Sequence, residues 1–126
     1  MKYLKLFEKF EDKKLYKLLS DLKKYKLDKN DFAIFGSAPL VIIGDLEDVN
    51  DLDVIIRPSA WIFKEDELRT GDIEFFNNWH PFDIDDLIDK KSFTYNGINF
   101  INPEFVYKYK RQMRRDKDKD TWSSNQ

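Results

Sequence analysis

Apolar and polar positions alternate differently in successive stretches of this chain, and each pattern predicts an element. From Lys2 to Lys26, Leu4, Phe7, Leu15, Leu18, Leu19 and Leu22 recur near helical spacing in a lysine-rich run without Gly or Pro. A period near 3.6 predicts one or two amphipathic helices with a solvated lysine face, tempered by Glu8, Glu11, Asp12 and Asp21. Asp31 to Phe35 is a short β-type run ending at Gly36-Ser37, and Ala38 to Ile43 is apolar enough for a helical turn or two. A polar loop from Gly44 to Asn50 precedes Asp51 to Arg57, a strand closed by Pro58. Ala60 to Leu68 predicts a short helix, and Asp72 to Phe76 another strand. Phe82 to Asp89 predicts a helix capped by Asp83 or Asp85.

Asn96-Gly97, between Phe93–Tyr95 and Ile98–Ile101, is the strongest hairpin signal in the chain. A last helix is expected from about Glu104 to Arg115, with residues 116–126 as a fraying tail. No repeat or linker interrupts the sequence. A single domain over 1–126 follows, with a helical segment at 1–28 and a core at 31–115. Strands and helices mix without strict βαβ alternation, so the fold class is α/β (α+β), a small mixed sheet with helices packed on one side.

Composition narrows the chemistry. The 126 residues include 20 aromatics (11 Phe, 6 Tyr and 3 Trp), enough ring area to build a core despite 37% charged residues. The absence of cysteine excludes disulfides, a thiol nucleophile and thiolate metal sites. A single histidine, His80, argues against a multi-histidine zinc site. No apolar run reaches membrane-spanning length and no signal-peptide core is seen, so a cytoplasmic chain is expected, away from membranes. With 22 basic residues against 24 acidic ones, the net charge of −2 does not favour nucleic acid as a partner. Chemistry is left to carboxylates, lysines and arginines.

Those carboxylates fall in pairs. On a strand, Asp51 and Asp53 project from one face while Leu52 and Val54 point the other way. Two like charges so close repel unless a cation neutralises them, and oxygen-only ligands suit Mg²⁺ or Mn²⁺. Asp72 and Glu74 repeat the spacing, and either could complete a three-carboxylate cluster. Gly36-Ser37 after a strand would let the backbone approach a phosphate. Lys110 and Arg114 share a helix side that could meet the same anion. Most of Trp61, Phe63, Phe75, Phe76 and Trp79 are assigned to core packing rather than to stacking on a base. The Asp116 to Asp120 run is not an EF-hand loop, because Thr121 stands where glycine is needed.

Phe35-Gly36-Ser37, thirteen residues, then Asp51-Leu52-Asp53-Val54 resembles the signature of the DNA polymerase β-like nucleotidyltransferase superfamily. Ile73-Glu74-Phe75 matches the later strand that carries the family's third acid. Ile101-Asn102-Pro103-Glu104, Tyr109-Lys110 and Arg115-Asp116-Lys117-Asp118 resemble the C-terminal part of its small bacterial members, the minimal nucleotidyltransferases and AbiEii-type toxins. The resemblance covers roughly residues 31–120. It implies a nucleotidyltransferase fold moving a nucleoside monophosphate from an NTP to an acceptor hydroxyl on a small molecule, a protein or a tRNA end. Asp51, Asp53 and Glu74 (or Asp72) would hold Mg²⁺ or Mn²⁺. Gly36 and Ser37 would cradle phosphates, and Lys110, Arg115 and Lys117 would offset their charge. A catalytically weak binding or regulatory module, as in a toxin–antitoxin pair, is the other expectation. The short chain leaves room for a homodimer or partner protein to complete the cleft.

Overall fold

The computed structural model describes residues 13–124, with side chains through residue 114. Six strands form one sheet in the order β3-β4-β2-β1-β6-β5. They are β1 (Phe32–Phe35), β2 (Leu52–Ile56), β3 (Glu67–Thr70), β4 (Ile73–Phe76), β5 (Ser92–Tyr95) and β6 (Ile98–Ile101). Among the described residues the α-helices are α1 (Lys14–Leu22), α2 (Ala38–Ile42), α3 (Ile84–Lys90) and α4 (Pro103–Ser124). β1 pairs antiparallel with β2 and parallel with β6, while β2 and β4 run parallel. The sheet is therefore mixed, as the sequence predicts.

All four residues of β1 are buried because both faces of the sheet are covered, which is why the strand reads as an unbroken apolar run. On one face, Leu15, Leu18 and Leu22 of α1 pack against Phe32, Ile34, Leu52, Val54, Ile56, Ile73 and Phe75. On the other, Ala33, Phe35 and Ile55 meet Ile84, Leu87 and Ile88 of α3 and Val106 of α4. The expectation of helices on one side is thus corrected. Two separate apolar helix stripes need two sheet faces to bury them.

Local chemistry explains most element ends. The Asp83 carboxylate caps α3 by accepting from the Asp85 N–H at 3.1 Å. Asn96 (φ 51°) and Gly97 (φ 76°) both take the left-handed conformation of a two-residue hairpin turn between β5 and β6. α1 lacks a cap of its own, since Lys13 precedes it. Its first N–H groups, of Lys14 and Leu15, donate instead to the Asp48 carboxylate at 2.8 and 3.0 Å. The Arg57 guanidinium, at the end of β2, bonds Asp85 and Asp89 of α3 and the carbonyl of Asn30.

Two expectations are overturned in detail. The helix predicted over Ala60 to Leu68 is absent. A 3₁₀ turn at Pro58–Ala60 leads into an irregular segment, and Glu67–Thr70 is a strand that pairs antiparallel with β4. Its alternation of Glu67, Leu68, Arg69 and Thr70 suits an edge strand, and Gly71 (φ 62°) supplies the tight turn back. The final helix runs on to Ser124 rather than ending near Arg115, so the tail expected to fray continues it. No Gly or Pro interrupts that stretch. Residues 2–12 of the first helical pattern lie outside the described residues.

Leu52 is fully buried between the two aspartates and anchors the strand that carries them. Leu52→Ala should lower the unfolding free energy by about 2–4 kcal/mol, as measured by denaturant titration.

Candidate functional site

Strand directions bring the singled-out residues to one edge of the sheet. β2 runs antiparallel to β1, so the chain leaves β1 where it later enters β2, and parallel β4 enters at the same edge. Gly36 and Ser37 follow the end of β1, Asp51 precedes β2, Asp53 is its second residue, and Glu74 is the second residue of β4. In the ladders Asp53 stands opposite Phe35 on one side and Glu74 on the other. Asp53 and Glu74 are neighbours on the α3–α4 face, since Leu52, Val54, Ile73 and Phe75 occupy the other face.

Electrostatics agree with that placement. Burial, joined by the negative charges of Asp51 and Glu74, pushes the Asp53 carboxyl up to about 6. Lys110 and Arg69 pull against them. Glu74 is raised as well, by burial and by a hydrogen bond shared with Glu67. It also forms an ion pair with Arg69, directly opposite on β3.

Gly36 has φ 71°, and a Cβ built on it would come within 2.5 Å of Asp53 Oδ2. Only glycine permits both that backbone angle and that approach. Ser37 accepts a hydrogen bond from Lys110 Nζ at 3.0 Å, which ties α4 to the turn after β1. α2 has five residues, too short to add weight as a helix N-terminus. An anion here would depend on the turn's backbone N–H groups, the hydroxyl and the lysine.

These groups line an open cleft of about 1010 Å³ with Phe35, Asp51, Asp53 and Tyr109. Its other walls include Phe76, Asn77, Asn78, Trp79 and His80, with Asp66 and Glu67 at the β3 side. Burial and the Asp53 charge raise the Tyr109 hydroxyl above its ordinary value. Phe35, Trp79 and Tyr109 pack ring on ring, with centroids 4.8–5.4 Å apart, and form the floor. His80 is exposed in this wall. Phe75 is core, and Trp61 and Phe63 pack together on the α1 side, as the sequence predicts for aromatics of this kind.

Asp72 and Glu74 have different surroundings. Asp72 pairs with Lys14 at 2.8 Å, which holds its carboxyl below the ordinary range. It borders a second cavity with Lys13, Lys14 and Lys17 rather than the cleft of Asp51 and Asp53. Glu74 stands beside Asp53. The side chains of Arg115 and Lys117 lie outside the described residues. Asp66, Glu67 and Arg69 carry no motif signal in the sequence, and Tyr109 enters there only as the neighbour of Lys110. The Glu67-x-Arg69 spacing is a strand-like signal that straddles the end of the helix predicted over Ala60 to Leu68.

The donor set fits a divalent cation in its chemistry, being oxygen-only, and in the close approach that Gly36 allows at Asp53. Among the described residues no group of three or more His, Cys, Asp or Glu side chains is placed to hold a metal ion. No helix among them is long and apolar enough to cross a membrane.

Comparison with protein-family models, curated proteins and solved structures returned no match. The functional reading therefore rests on this chain's own residues.

Two substitutions test the geometry. Gly36→Ala should cost about 1–3 kcal/mol by thermal or chemical unfolding, because strain at positive φ adds to a clash with Asp53. Asp53→Asn should have the opposite sign. The unfolded carboxyl ionises near 3.8 and the folded one near 6. Stability thus falls as pH rises between these values, and the penalty is complete above the higher one. The Asn variant should be more stable than wild type by about 1–3 kcal/mol near neutral pH, an advantage that shrinks on acidification and vanishes below the unfolded value of 3.8.

Proposed function

We propose that this chain is a divalent-cation-dependent nucleotidyltransferase, similar to the DNA polymerase β-like superfamily. The observation that carries the reading is the meeting of Asp51 and Asp53 with the Gly36-Ser37 turn and Lys110 at one cleft, with Glu74 paired beside Asp53 in the β2–β4 ladder. The acceptor hydroxyl oxygen attacks the α-phosphorus of an NTP, forming a new P–O bond as the bond to pyrophosphate breaks. Glu74 orients the acceptor hydroxyl and takes up its proton, a role suited to a carboxyl raised above its ordinary value. Lys110 and the Ser37 hydroxyl hold the departing phosphates, and the backbone at Gly36 gives them room. Mg²⁺ or Mn²⁺ held by Asp51, Asp53 and Glu74 would supply charge neutralisation at the triphosphate. The acceptor's class is a hydroxyl on a small molecule, a protein side chain or a tRNA end.

One observation favours a second reading, a regulatory or binding module of the same fold with little or no turnover. The Glu74 carboxylate is already engaged by Arg69, so the third acid is not free as the chain stands.

Thermal melting with Mg²⁺ and an NTP tests the reading. A ligand at 100 times its Kd should stabilise wild type by about 2.7 kcal/mol. The Asp51→Asn/Asp53→Asn double variant should show no such gain. An equal shift in the double variant overturns both readings. Pyrophosphate release with an acceptor present separates enzyme from module.

A further inference from the structure

Arg69 is the cation nearest the third acid, and its setting suggests more than an edge-strand ion pair. It stands directly across the β3–β4 ladder from Glu74, on the cleft face of the sheet. Its guanidinium bonds the Glu74 carboxylate, while its Nε donates to the Gly71 carbonyl at 3.3 Å. The Arg69 side chain is 53% exposed and that of Glu74 18% exposed. The arginine thus covers the acid from the solvent side. Glu67, two residues earlier on β3, shares the Arg69 face and lies diagonal to Glu74 across the ladder. Glu67 also borders the cleft.

We propose that Arg69 is a positioning residue that serves as a resident counterion for Glu74, yielding that carboxylate to an incoming divalent cation and moving onto Glu67. This inference rests on the nucleotidyltransferase reading and deepens it.

Three features support the hand-off. Asp51 and Asp53 are two residues apart and Glu74 stands beside Asp53 across the β2–β4 ladder, so like charges gather there and call for a positive charge close by. Lys110 is committed to Ser37, which leaves Arg69 to supply that charge at the Glu74 end. An exposed guanidinium is held only weakly, and with Glu67 on its own strand face it can leave Glu74 without losing a carboxylate partner. The same arrangement accounts for an acid that belongs to the cleft by register yet is paired away from it. A guanidinium and a divalent cation compete for the same oxygens, so Arg69 sets how readily the cation enters.

The experiment measures Mn²⁺ binding to the full chain by loss of the free-ion electron paramagnetic resonance signal, without nucleotide. Wild type should bind Mn²⁺, and Asp51→Asn/Asp53→Asn should abolish binding. Arg69→Gln should tighten binding by about three- to tenfold, because a competing charge is removed. Arg69→Lys should return most of the way to wild type, since it restores the cation. In a Glu74→Gln background, Arg69→Gln should have no effect. Melting curves of the metal-free variants establish that each is folded, and Arg69→Ala serves if Arg69→Gln is not. Wild-type-like affinity in Arg69→Gln overturns the inference and leaves the functional reading standing. So does an undiminished Arg69→Gln effect in the Glu74→Gln background, or Arg69→Lys matching Arg69→Gln. Wild type that binds no Mn²⁺ overturns the functional reading as well.

Discussion

The parallel pairing of β2 with β4 is the constraint on which the cleft depends. Its register puts Asp53 beside Glu74, two carboxylates that repel each other and are partly withdrawn from water. Nothing in those two side chains favours the arrangement. It is held by the residues between and behind them. Leu52, Val54, Ile73 and Phe75 bury themselves under α1, and the Leu52 N–H donates to the Asp72 carbonyl at 2.8 Å. Hydrophobic burial on one face of the sheet thus fixes an electrostatic cost on the other. The raised Asp53 carboxyl is the measure of that cost, and a bound cation would convert it to attraction.

The cleft's other components follow from strand direction. Because β1 exits where β2 enters, the turn after β1 must pass next to Asp53, and Gly36 is the residue that fits there. Lys110 reaches the same turn from α4, 73 positions later in the chain. The ring-on-ring floor of Phe35, Trp79 and Tyr109 joins β1, the segment after β4, and α4. Loss of any one of these elements would remove either the acids or the groups that would face phosphate.

Much of this was legible in the sequence, where short-range rules decide the structure. The apolar runs of β1 and β2, the Asn96-Gly97 hairpin and the Asp83 cap each depend on a few adjacent residues. The Asp51-x-Asp53 pair was visible for the same reason. Glu74 and Asp72 could not be separated from spacing, since the difference lies in Lys14 drawing Asp72 to the far side. The start of β3, Glu67 and Leu68, falls within the helix predicted from the sequence because these residues have no strong preference, and the partner strand across Gly71 determines their state. The second covered face of the sheet was missed because no local pattern reports which helix packs where.

The Asp48 carboxylate carries a further consequence. Burial acts to raise it, yet the N–H groups of Lys14, Val49 and Leu15 hold it below the ordinary carboxylate range. It lies in the loop that delivers Asp51, and it closes the open end of a helix 34 positions earlier in the chain. The seating of α1 and the order of that loop are therefore one thermodynamic quantity. Freeing the start of α1 would strip the Asp48 carboxylate of two of its three N–H partners, three residues before Asp51, although no side chain of α1 enters the cleft's lining.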